Sequence, residues 1–230
     1  EVIYIAYGNK STKYVGFKTV FAEEFIQTIF RTFNNSKCIC IIRDPRAIYA
    51  SQVKFAEKNK FCYPILYVVR HWRKSIYFIR KNSKKKNLML IRYEDLIKNP
   101  EKNVIKLCNF LNIKFSRSMI NPKSFKDGKG KRWFQNSSFK KSQKINNKSI
   151  NLWKYQLSKN QIQFIEDTCQ KEMNLFGYRR TTVNKIKLLK NLKIEEKRKN
   201  IFPWLLKCKK NYLLDKKNIN EEINRYKNSN

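Results

Sequence analysis

CIIRDPRAIYASQ, residues 40–52, joins two kinds of structure in one line. The apolar run KCICII at 37–42 has the length and residue types of a buried strand. Arg43 closes it, and Asp44 and Pro45 then supply an N-cap and a first-turn proline for a helix. In a parallel sheet the carboxyl end of a strand opens on the crevice where ligands collect, so Arg43 stands where an anion would bind. Ser51 follows Asp44 by nearly two helical turns and so returns to the side on which the helix began. Arginine offers a planar fork of donors and serine one hydroxyl, a pair suited to a phosphate group. The spacing alone leaves a second reading open: an arginine paired with a local carboxylate, and a serine that is merely a small helix residue.

Working outward, YVGFK at 14–18 and NLMLIRY at 87–93 read as two further strands. In the stretch 64–81, Ile65, Val69, Trp72, Ile76 and Ile79 recur at steps of 4, 3, 4 and 3, one apolar face of a helix. Asn99 and Pro100 open another, with a stripe of Val104, Leu107, Cys108 and Leu111. Ser158 and Gln161 form a capping box for a third, Leu157 can staple to Ile162, and Gly177 ends it. Strand and helix in alternation predict an α/β fold, a parallel sheet with right-handed crossovers and helices on its faces. The stretch 122–150 has no periodicity and reads as a long functional loop. From about 181 the chain turns to Lys and Asn, interrupted by IFPWLL at 201–206. The expected organisation is a domain at 1–180 and a basic, helical extension at 181–230, which docks on the domain or, alternatively, lies in a membrane interface.

The chain has 230 residues, and its 41% hydrophobic and 14% aromatic residues can fill a core, which excludes a disordered protein. Its 52 Lys+Arg against 17 Asp+Glu give a net charge of +35, a field that attracts polyanions, phosphorylated nucleotides or acidic membranes. An A/T-rich genome would produce part of that excess without any partner. The six cysteines show no metal-ligand spacing and no disulfide density, and read as buried thiols. No apolar run is long enough for a transmembrane helix, and no signal peptide is recognisable. The chain begins with Glu1 rather than Met, so the natural start is expected upstream.

RDPRAIYAS resembles the 3′-phosphate-binding motif of the sulfotransferases that use 3′-phosphoadenosine 5′-phosphosulfate (PAPS). The likeness continues in IRYEDLIKNPEKNVIKLCNFLNI, in RWFQNSSF, and in LWKYQLSKNQIQFIEDTCQKEMNLFGY, four motifs in order over about residues 14–178. The resemblance implies the P-loop nucleoside triphosphate hydrolase-like sulfotransferase fold, a three-layer parallel sheet flanked by helices, and PAPS as sulfuryl donor with no metal. It implies that Arg43 and Ser51 hold the 3′-phosphate, that Tyr93 lies near the adenine, and that the loop bearing Arg132, Trp133 and Asn136 closes over the nucleotide. Lys18, in VGFKTV, matches a lysine beside the transferred group, although Val20 stands where the family usually has proline. The family's glycine-, serine- and basic-rich loop for the 5′-phosphosulfate should precede YVGFK, and EVIYIAYGNKSTK contains nothing like it. The expectation is a chain lacking its first strand, loop and helix, inactive as it stands, or alternatively a degenerate relative.

Sulfuryl transfer needs an in-line nucleophile, donors on the oxygens that gain charge and a base for the acceptor hydroxyl. Lys18 can serve the leaving oxygen. His71, the one histidine, is a candidate base, and Glu23 and Glu24 are equally open. The charge favours an extended acidic acceptor such as a glycan, with protein tyrosine as the runner-up. The compartment is cytoplasmic on a bacterial reading and the Golgi lumen on a eukaryotic one. Two rivals remain: a nucleic-acid-binding protein stacking bases on Trp133 and Phe134, for which no known motif is present, and a nucleotide kinase of related architecture, for which the Gly-x-x-x-x-Gly-Lys-Ser/Thr loop is missing.

Overall fold

A computed structural model describes residues 13–20, 22–59, 63–126, 130–132, 145 and 147–183, with backbone only at 56–59 and 148. The opening stretch folds as its residue types dictate. Strand β1 is Cys38–Ile42 and helix α2 is Pro45–Asn59, preceded by a short helix α1 at Ile26–Thr32. Asp44 is the cap between strand and helix: its Oδ1 accepts the backbone N–H of Arg46 at 2.9 Å. Helix α3, Ile65–Lys81, follows and leads to strand β2, Leu88–Arg92. All five residues of the expected apolar face of α3 are buried.

The strands β1 and β2 are neighbours in one sheet. Cys38 N–H donates to the carbonyl of Asn87 at 2.9 Å, so the two strands enter the sheet side by side and run parallel. A parallel pair cannot be closed by a hairpin, and here α2 and α3 make the crossover. After β2 come α4 (Tyr93–Lys98), α5 (Pro100–Leu111), two short 3-10 helices, α6 (Lys148–Asn151), α7 (Trp153–Gln156) and α8 (Lys159–Leu175). Asn99 occupies the N-cap of α5, but its side chain makes no capping bond. Of the expected stripe on α5 only Cys108 is fully buried. The capping box of α8 is complete: Ser158 Oγ accepts Gln161 N–H at 3.3 Å, and Gln161 Oε1 accepts Ser158 N–H at 2.9 Å. Gly177 follows this helix at φ 69°, the left-handed conformation that a helix end requires.

The chain forms two compact units. One comprises the residues up to Cys40 together with Lys74–Met89. Its core holds Ile26, Ile76, Ile79 and Leu88, and Asn82 is buried with its Nδ2 donating to the Phe78 carbonyl at 2.8 Å. In it Glu23 accepts a short hydrogen bond from Ser75 Oγ, and Glu24 pairs with Lys74 at 2.7 Å. The other unit comprises Ile41–Arg73 and the residues from Leu90 on. There α2 packs against α6, α7 and α8. Tyr49, Val69, Trp153, Phe164, Ile165, Cys169 and Met173 are its buried centre.

One expected strand is not formed. Residues 14–18 carry no regular secondary structure and no bridge, and Tyr14, Val15, Phe17 and Val20 are exposed. A strand exists only where a second one satisfies its backbone, and none of residues 14–18 is bridged to another strand. The described sheet therefore has two strands where the sequence predicts three, and Ile39 and Ile41 of β1 and Leu90 of β2 are exposed. Cys38, Cys40, Cys108 and Cys169 are free thiols, the last two buried. Burial and then the charge of Glu23 push the Cys40 thiol up to about 12, which makes it a packing residue rather than a nucleophile. No helix among the described residues is long and apolar enough to cross a membrane. Cys62, Cys208 and the IFPWLL cluster lie outside the described residues.

Two predictions concern stability. A Cβ at residue 177 would meet Arg92 Nη1 at 3.7 Å, an ordinary contact, so Gly177→Ala costs only the backbone conformation. That cost is about 1 kcal/mol, a fall of ~2–4 °C in Tm by calorimetry. The second prediction concerns Glu166, which is buried in α8. Burial pushes its carboxyl up, but hydrogen bonds from Thr182 and Thr181 outweigh it and hold the group below the usual carboxylate range. Its charged form thus stabilises the fold above the unfolded-state pKa, about 4.3, and that contribution is lost as pH falls through the lower folded value. The Tm difference between wild type and Glu166→Gln should be widest near neutrality and shrink as the pH is lowered past the carboxylate range. A difference independent of pH would contradict the assignment.

Candidate functional site

The site grows from the turn between β1 and α2. Arg43 leaves the strand half-buried, and its carbonyl is held by the indole N–H of Trp72 at 2.9 Å. Its guanidinium lies 4.4 Å above the ring of Tyr93, the first residue of α4, and Nη2 donates to the carbonyl of Ser149 in α6 at 3.3 Å. The hydroxyls of Tyr93 and Ser149 are 3.2 Å apart. Three elements distant in sequence therefore meet around one arginine. Its Nε is buried without a hydrogen-bond partner among the described residues, and no described carboxylate pairs with the side chain.

The local carboxylates are occupied elsewhere, so Arg43 is not the carboxylate-paired arginine of the second reading among the described residues. Asp44 is taken by Arg46, whose Nε and Nη2 donate to it at 3.0 and 2.7 Å. Glu94, buried at the start of α4, accepts the Asp44 backbone N–H on Oε1 at 3.0 Å and the Tyr178 hydroxyl on Oε2 at 2.8 Å. Burial, with the charge of Glu94 beside it, pushes the Tyr178 phenol well above its usual range, so it remains a donor. Arg92 lies 4.7 Å over the Tyr178 ring. The arginine at the strand exit keeps an uncompensated positive charge and an unused donor. The chemistry of such a place suits an anion.

The other residues singled out in the sequence are distributed differently. Ser51 lies half-buried on α2, and its hydroxyl makes no hydrogen bond to a described residue. Tyr93 is stacked on Arg43 itself. Lys18 is exposed in the segment that does not form the expected strand. His71 is half-buried on α3, its ring 4.1 Å from that of Tyr67, which in turn stacks on Tyr63 at 4.7 Å. Glu23 and Glu24 are engaged by Ser75 and Lys74, so neither is an idle base. Arg132 is exposed and bridges to Lys126. Trp133 and Asn136 lie outside the described residues. The sequence reading missed Trp72, Glu94, Ser149 and Tyr178. Glu94 and Tyr178 stand inside motifs it quoted, and an acid buried at a strand exit next to a helix cap was the signal. Ser149, in an aperiodic stretch, carried none.

Three of the four motifs thus contribute side chains around one turn, Arg43 and Asp44 from the first, Tyr93 and Glu94 from the second and Tyr178 from the last, and comparison with known proteins gives them a common origin. A family model described as the sulfotransferase domain matches residues 22–177. No curated protein was found to match the chain. Among solved structures, the sulfotransferase domain from the curacin biosynthetic pathway is similar at 21% identity and a TM-score of 0.52, over 69% of this chain and 59% of that domain. The sulfotransferase domain from the Synechococcus PCC 7002 olefin synthase is similar at 19% identity and a TM-score of 0.52, over 68% of this chain and 55% of that one. The chain therefore spans less than two thirds of either domain, and the likeness is one of fold. With two parallel strands among the described residues, the helices that cross between them and a match over residues 22–177, the chain has the α/β sulfotransferase fold and belongs to the sulfotransferase domain family.

Proposed function

We propose that the protein is a sulfotransferase that moves a sulfuryl group from PAPS to a hydroxyl acceptor. The observation that carries this reading is the uncompensated charge of Arg43, whose buried Nε lacks a partner while Asp44 and Glu94 are both engaged. A 3′-phosphate fits that requirement: it would accept from the Arg43 fork and from the unengaged Ser51 hydroxyl. Tyr93 is assigned to the adenine end, with Arg132, Trp133 and Asn136 in the segment that closes over the nucleotide. The donor brings an activated sulfuryl group, and the protein's part is to bind, orient and stabilise charge. Lys18 is assigned to the oxygen that gains charge, and His71 to accepting the acceptor's proton.

The acceptor we favour is a glycan, with protein tyrosine next. The support is the surface from the end of α4 through α5 to the 3-10 helices after it, where Lys98, Lys102, Lys106, Lys114, Arg117 and Lys123 are exposed without ion pairs among the described residues. Such a surface favours an extended acidic chain over a small apolar phenol.

Calorimetry tests the donor site. The full-length protein should bind adenosine 3′,5′-bisphosphate well and 5′-AMP poorly, and Arg43→Ala should remove about 1.5–3 kcal/mol of that preference. Equal binding of the two nucleotides would end the proposal. For the acceptor, a screen with labelled donor should find transfer to acidic polysaccharides that weakens as salt is added. Transfer confined to small phenols, at a rate indifferent to salt, would refute the glycan assignment.

A further inference from the structure

Behind the strand-exit turn lies a chain of buried charge that touches no candidate ligand position. Glu166, on α8, is fully buried and accepts five hydrogen bonds. Its Oε1 receives Arg46 Nη1 at 2.5 Å, Thr181 N–H at 2.9 Å and Thr181 Oγ1 at 2.8 Å. Its Oε2 receives Thr182 N–H at 2.9 Å and Thr182 Oγ1 at 2.5 Å. Arg46 Nη1 also donates to the carbonyl of Arg179 at 3.0 Å, and its guanidinium lies 3.9 Å over the ring of Trp153. Arg180 secures the same segment by pairing with Asp167 at 2.5 Å and donating from Nε to the Thr182 carbonyl at 2.6 Å. Residues 179–182 are therefore fastened to α8 and, through Arg46, to Asp44.

The consequence for the anion site follows from which cation holds Asp44. Asp44 is the immediate neighbour of Arg43, and a carboxylate left without Arg46 would compete with a phosphate for the Arg43 charge. Arg46 is kept on Asp44 by being clamped from its far side by Glu166, the Arg179 carbonyl and Trp153. Arg46 gives Nε and Nη2 to Asp44 and Nη1 to Glu166 and the Arg179 carbonyl, so the partners on its far side help fix the rotamer in which it holds Asp44. We propose that residues 179–182 form a strap that sets the anion affinity of Arg43 from a distance, with Glu166 and Arg46 as its positioning residues. Loosening the strap frees Arg46, frees Asp44 in turn, and spends the charge of Arg43 on an internal pair. The inference rests on the reading of Arg43 as the 3′-phosphate contact.

The test measures the ratio of dissociation constants for 5′-AMP and adenosine 3′,5′-bisphosphate by calorimetry on the full-length protein, alongside Tm. Arg46→Met and Glu166→Gln should each lower the ratio by about tenfold, and the double variant Thr181→Val, Thr182→Val by roughly threefold. The double variant keeps both backbone bonds to Glu166 and so guards against a result due to misfolding. Glu172→Gln, on α8 like Glu166, is the control: it breaks the 2.7 Å ion pair with Arg73 of α3 and should lower Tm while leaving the ratio within about twofold of wild type. A wild-type ratio near one would overturn the Arg43 reading and the strap with it. A high wild-type ratio, abolished in Arg43→Ala but retained in the Arg46, Glu166 and threonine variants, would overturn the strap alone. The same loss in Glu172→Gln would also overturn it, since general destabilisation would then suffice.

Discussion

The Glu94 carboxylate is the fastening on which the site depends. One oxygen takes the backbone N–H of Asp44, where β1 passes into α2, and the other takes the hydroxyl of Tyr178, just past the glycine that ends the last described helix. A buried carboxylate must have its oxygens satisfied, and here the donors come from both ends of the larger unit. The strand exit, the start of α4 and the C-terminal turn are thereby held to one point. Trp72 adds a fourth element by its bond to the Arg43 carbonyl.

The allocation of carboxylates then explains why one arginine is available and its neighbour is not. Arg43 and Arg46 stand three residues apart at the same turn, with Asp44 between them in sequence. Arg46 receives Asp44 and Glu166 and is sealed under Trp153. Arg43 receives a carbonyl and an aromatic face, contacts that hold a guanidinium in place without neutralising it. The structural pair and the candidate binding cation are told apart by partners, not by residue type. Net charge contributes little to this distinction, since +35 is spread along the whole chain.

Much of this was legible in the sequence because it is local. The apolar face of α3, the Ser158–Gln161 capping box, the Asp44 cap and the Gly177 turn each depend on residues within a few positions of one another, where periodicity and capping chemistry act directly. The failures share an opposite cause. YVGFK has the composition of a strand, but pairing is a property of two segments, and no described residue supplies the second. Ser149 stands in an aperiodic stretch, yet its carbonyl accepts from Arg43 across 106 residues of chain.

By itself the sequence determined the alternation of strand and helix around β1 and β2, the starts of α2 and α8, the family, and the turn proposed to meet a charged ligand. All of these follow from short-range spacing and from four motifs in order. Only the tertiary structure decided which charges cancel. Asp44 is adjacent to Arg43 in the chain, and geometry gives it to Arg46. Glu166 lies 120 residues from Arg46 and completes the same pair. Coulomb energy and desolvation depend on distance and burial in three dimensions, and neither is written in the spacing of residues along the chain.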